Sequence, residues 1–171
     1  MASSELGLGL GTQTATDPQA QTKYMLAVAK GNIKRGAGWF DVIAGLSVVN
    51  AILAMMGSWV FLAGLGITTV ANQVGASFGA SGRAIGFIIT LVAAGVFVML
   101  GHFTKQGQTW ALILGIVFYA LDTVLVLIFM TQAWLMIAFH AYALFMIAKT
   151  FSAIKLYEQA KEQAAARGIM V

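Results

Sequence analysis

The sequence predicts an all-α integral membrane fold: a bundle of four transmembrane helices, N-in/C-in, with a short amphipathic N-terminal helix and a helical C-terminal extension. Three observations predict it. Only 9% of the 171 residues are charged and 60% are hydrophobic, and the mean hydropathy is +0.86. Soluble domains carry about 25% charged residues, so this chain lacks the polar surface that water demands. Four apolar runs of roughly 20 residues each have the length a helix needs to cross about 30 Å of hydrocarbon. The basic residues gather at one set of span ends, the pattern of the positive-inside rule.

Residues 1–17 are rich in Gly, Thr, Ser and Gln and read as a disordered tail. They lack the charged and apolar regions of a signal peptide, so the first span is expected to serve as the targeting signal. The stretch 18–35 reads as a juxtamembrane amphipathic helix. Asp17-Pro18 supplies its N-cap and first position, and Gly31-Asn32 its stop. Tyr24, Met25 and Val28 share one face, with Lys23 and Lys30 beside it, the pattern of a helix on a membrane surface.

The transmembrane domain is expected over residues 36–155, with spans at about 39–62, 84–103, 110–130 and 134–154. Lys34 and Arg35 mark the first boundary, and Trp39, Phe40 and Trp59 suit the interfaces. Residues 63–82 carry no charge and five glycines. They are too polar for a lipid-exposed span and read as an ordered outer loop with a short helix around Ile67–Gln73. The alternative is a re-entrant segment, which is tolerated where protein buries it. Lys105 lies in the turn between spans two and three, and Thr131-Gln132 makes the next turn. Residues 156–171 continue the last helix into water, ending near Gly168.

Charge sets the threading. With the N-terminus inside, Lys23, Lys30, Lys34, Arg35, Lys105, Lys149, Lys155, Lys161 and Arg167 lie inside; Arg83 alone lies outside, completing the ten basic residues. The inverse topology reverses that ratio. The chain is therefore expected in a plasma or inner membrane with both termini cytoplasmic.

Ionisable groups within spans are costly and face the bundle interior or a cavity. Asp122 and Asn50 fall at similar depth near mid-membrane. Antiparallel pairing of spans three and four brings Asp122 to the level of Tyr142, with His140 about 3 Å nearer the outside. Tyr119 lies one turn before Asp122. Asn50, Tyr119, Asp122, His140 and Tyr142 thus form the candidate polar cluster. His140 and Tyr142 lie about 200° apart on their helix, so only one faces Asp122 readily. Asp41 and His102 form a second candidate pair near the inner face, with Lys34 and Arg35 as other partners for Asp41.

The sequence has no cysteine, which excludes disulfides, thiolate metal sites and Fe–S clusters. His102 and His140 are about 20 Å apart in depth and cannot share one haem iron. No metal site or cofactor is implied, and the motifs H-E-x-x-H and G-x-S-x-G are absent. The basic residues flank spans, which argues against nucleic acid as partner. The expected partners are the lipid bilayer and membrane proteins, in a homo- or hetero-oligomer. Two functions compete. The first is a non-enzymatic structural or accessory subunit of a membrane assembly, with Asp122 as interhelical glue. The second is a proton- or cation-coupled transporter or channel component that uses Asp122 and His140.

Overall fold

The computed structural model describes residues 18–57, 64–129 and 134–169. The expected tail at 1–17, the end of the first expected span and the turn at Thr131-Gln132 lie outside the described residues. Five helices follow: α1 (Pro18–Met55), α2 (Gly66–Ser77), α3 (Gly79–Lys105), α4 (Thr109–Phe129) and α5 (Trp134–Ala166). Four of them, α1, α3, α4 and α5, are long and apolar enough to cross a membrane. Each of α1 and α4 packs on both α3 and α5, which closes a four-helix ring.

The packing inverts the habit of soluble bundles. Ala37, Ala44, Ala51, Ala94, Ala111 and Ala143 are buried, whereas Ile88, Val92, Leu121, Ile128 and Leu135 are exposed. Lipid tails are as apolar as leucine, so helices in a bilayer gain by close backbone approach, which small residues permit. Phe40, Phe97, Leu112, Tyr119 and Ile147 fill the core that remains.

Three sequence expectations change. The amphipathic helix does not stop at Gly31-Asn32; α1 is continuous over 38 residues. A single glycine costs a helix only about 1 kcal/mol relative to alanine. Here Leu26, Ala29, Ile33 and Ala37 are buried on either side of it. Leu26 packs with Ala160, Ala164 and Ile169, so the start of α1 pairs with the end of α5 instead of standing alone. Arg167 ties the two ends together by donating to the Pro18 carbonyl (3.3 Å) and to Thr22 Oγ1 (3.1 Å). Both described ends of the chain therefore lie at one end of the bundle.

The helix of the first span also stops short of the expected Leu62. α1 stops at Met55, and Gly57 follows with φ of 78°. The third change is the largest. The short helix expected around Ile67–Gln73 is present as α2, but it is longer, and instead of lying in an outer loop it packs on α3, α1 and α4. It and α3 form a tight hairpin turning at Gly79, whose φ of 71° favours glycine. A Cβ on Gly75 would come within 2.4 Å of the Gly82 carbonyl oxygen, so the two backbones nearly touch. Asn72 donates to Thr90 Oγ1 (3.3 Å) and locks the register. At about 1.5 Å per residue, α2 is about 18 Å long, too short to cross a bilayer.

A candidate mid-membrane polar site

The first link is on α1. Ser47 donates to the Ile43 carbonyl (2.8 Å), and its hydroxyl oxygen accepts the Leu65 N–H (2.8 Å). That bond carries the chain to the depth of Ser47 just before α2 begins. Leu65 is the N-cap of α2 and offers no capping side chain. The first N–H groups of a helix need acceptors, and a mid-membrane position offers no bulk water to supply them.

Asp122 supplies them from α4. The Gly66 N–H donates to Asp122 Oδ2 (2.8 Å) and the Ile67 N–H to Oδ1 (2.9 Å). Both carboxylate oxygens are engaged, and the positive end of the α2 dipole faces them; each complements negative charge. Glycine at 66 makes the approach possible: a Cβ there would lie 2.4 Å from Val126 Cγ2 and 3.4 Å from the Asp122 carbonyl oxygen.

His140 completes the site from α5. Its Nε2 lies 3.2 Å from Asp122 Oδ2, and the ring is fully buried. Its Nδ1 lies 2.8 Å from the Met136 carbonyl oxygen. A carbonyl only accepts, so Nδ1 carries a proton. The contact between Nε2 and Oδ2 then needs one further proton, held by the imidazole or by the acid. Either way the pair is neutral as a unit.

Tyr119 orients the imidazole. Its ring stacks on His140 with centroids 5.1 Å apart and planes 7° apart, and it meets Phe97 edge-on. Its hydroxyl is buried and makes no hydrogen bond among the described residues. A cleft of about 260 Å³ between α2, α3 and α4 reaches Asp122 from the bundle's outer face, lined by Leu65, Phe97, Phe118 and Leu121. Phe118 and Leu121 are exposed at its mouth, while Asp122 is 4% exposed.

Of the expected cluster, Tyr119, Asp122 and His140 come together. Asn50 is buried on α1, one turn beyond Ser47. Tyr142 does not join them. It lies on the exposed side of α5, 5.4 Å from the Trp39 ring, because 200° of helix separates it from His140. The inner-face pair does not form either. Asp41 pairs with Lys105, and His102 Nε2 meets the Gln106 side-chain nitrogen at 2.9 Å on its own helix. Lys105 reaches Asp41 from the end of α3, where its long stem can extend, whereas His102 is drawn to its i+4 neighbour. Among the described residues, no three His, Cys, Asp or Glu side chains converge as a metal site.

Sequence reasoning missed the backbone of Gly66 and Ile67 and the hydroxyl of Ser47. One signal was available. The uncharged segment around α2 opens with Gly-Leu-Gly-Ile and no Ser, Thr, Asp or Asn where a local cap belongs, so the cap had to come from elsewhere.

The chain is a membrane-embedded helical protein with a buried, ion-paired Asp/His couple. Comparison with protein families, with curated proteins and with solved structures finds no match, so its functional reading rests on this geometry.

Proposed function

We propose that the protein is a proton-coupled transporter or channel component in which Asp122 and His140 hold the coupling proton. One observation carries the reading: a buried Asp122/His140 pair also caps the short helix α2. Protonation and the seating of α2 are then linked. An ionised Asp122 accepts both α2 N–H groups at full strength; a neutral carboxyl accepts them more weakly and frees the helix end. Charge-assisted bonds of this kind are roughly twice as strong as neutral ones. The cleft beside α2 brings the outer surface of the bundle close to the pair.

Filled at its core by Phe40, Phe97, Tyr119 and Ile147, a single bundle has little room for a central path. We therefore place the working unit as an oligomer, with both termini cytoplasmic and no covalent catalysis. The natural absence of cysteine makes the threading directly testable. Gln163→Cys should label from the cytoplasmic side and Ser81→Cys from the opposite side; the reverse pattern would overturn the topology.

The functional test is pH-driven flux in proteoliposomes for wild type, Asp122→Asn and His140→Gln. Loss of flux in both variants, with assembly intact, supports the proposal. A second reading is an accessory subunit in which Asp122 is only a cap; in its favour, three groups of the fold itself already occupy the carboxylate. It expects no flux from wild type and recovery of a fixed partner from mild detergent extracts.

A further inference from the structure

Toward the end of the bundle where the start of α1 meets the end of α5, these two helices frame a cleft of about 360 Å³. Arg35 and Asn32 line it from α1, and Lys149, Thr150 and Ser152 from α5. Two cations thus face one space. Arg35 and Lys149 have no carboxylate partner among the described residues, where Asp41 and Asp122 pair with Lys105 and His140. Lys149 Nζ rests 5.2 Å from the centre of the Phe145 ring, a contact that keeps its charge at the helix surface.

Thr150 is the second observation. The other buried serine and threonines of the membrane-spanning helices, Thr22, Ser47, Thr90 and Thr104, each donate to the carbonyl four residues back. Thr150 does not. It is 1% exposed, and its hydroxyl has no hydrogen-bond partner among the described residues. Burying a hydroxyl without a partner is unfavourable, so an acceptor at this position is expected. Gly36 faces it; a Cβ there would lie 1.8 Å from Thr150 Oγ1, so glycine holds the two helices close at the base of the cleft.

We propose that this cleft binds an anionic phospholipid, with the phosphate between Arg35 and Lys149. Asn32 and Ser152 offer donors to its oxygens, and Thr150 closes the base of the cleft against Gly36. The cleft lies where Arg35 ends the polar start of α1 and apolar α1 begins, the depth of lipid phosphates. Met146 continues its lining toward the bilayer as a contact for an acyl chain. Basic clefts between helices at a membrane boundary recognise lipid headgroups in this way. The site is independent of Asp122 and its proton.

The test is native mass spectrometry of the full-length protein titrated with phosphatidylglycerol and, separately, with phosphatidylcholine. Wild type should retain phosphatidylglycerol preferentially. Each of Arg35→Gln and Lys149→Gln should weaken that retention about fivefold, and the pair together more. Lys155→Gln/Lys161→Gln, which alters the same number of charges farther along α5, should leave it unchanged. Equal retention of both lipids, or a preference that survives the Arg35/Lys149 double substitution, overturns the proposal. Release of the lipid by millimolar inorganic phosphate would identify a soluble anion as the ligand and overturn the lipid assignment.

Discussion

Two aspartates stand in this bundle in opposite circumstances. Asp122 is buried at mid-membrane, with its oxygens shared among two backbone N–H groups and an imidazole. Asp41 stands near the terminal end with its side chain 42% exposed and pairs with Lys105 alone. The first holds together three helices, α2, α4 and α5; the second joins two helices that already pack through Phe40 and Gly101. What an acidic residue contributes is set by how many groups would be orphaned without it and by whether water can replace it.

Substitutions can break that comparison, and Asp122→Leu should have the largest effect. It strands two N–H groups and an imidazole away from water, and breaking a buried ion pair costs about 3–5 kcal/mol. Denaturant unfolding in mild detergent should show that loss, with Asp122→Asn retaining part of it through its remaining acceptor. A near-wild-type midpoint for Asp122→Leu would mean that α2 is not held from α4. Next comes Gly66→Val, which overfills the contact with Val126; overpacking typically costs about 1–3 kcal/mol. The same unfolding measurement should place it between Asp122→Leu and wild type.

Asp41→Asn should change stability by no more than about 1 kcal/mol, and by less at high salt, as exposed pairs do. An effect equal to that of Asp122→Leu would erase the distinction between the two aspartates. Tyr119→Phe should be smallest. It removes a hydroxyl that has no partner and keeps the ring stacked on His140, so stability should hold or rise slightly. If flux falls while stability holds, the hydroxyl belongs to the transport path, and the site is sharpened beyond the Asp/His pair.

The four spanning helices were legible because hydropathy and charge report directly on lipid contact. Register was legible too: pairing spans three and four through a short turn before Trp134 put His140 near the level of Asp122, and the two meet at 3.2 Å. The side chains that face away were harder to read. Tyr142 and His140 differ by only two positions, and the direction of the seam between α4 and α5 decides between them. α2 was legible as a short helix around Ile67–Gln73 but not in its seating, because hydropathy detects contact with lipid, whereas this segment meets Asp122, Ser47 and Thr90. Its small residues and glycines suit a protein-lined slot, and no local cap betrays where it starts. The continuity of α1 through Gly31 had a similar origin, since the partner that stabilises it, the end of α5, lies more than a hundred residues away in the chain.

The distance in sequence between α2 and its cap has a consequence for biosynthesis. The bonds from Gly66 and Ile67 to Asp122 join residues 56 and 55 positions apart, and His140 is made later still. A ribosome feeding this chain into a bilayer delivers α2 before the carboxylate that accepts its first two N–H groups exists. Until α4 is made, the segment can rest on Ser47 of α1 and pair with α3, but its first two N–H groups lack their acceptor. An element seated by one carboxylate at the end of assembly is also the element that one carboxylate can release.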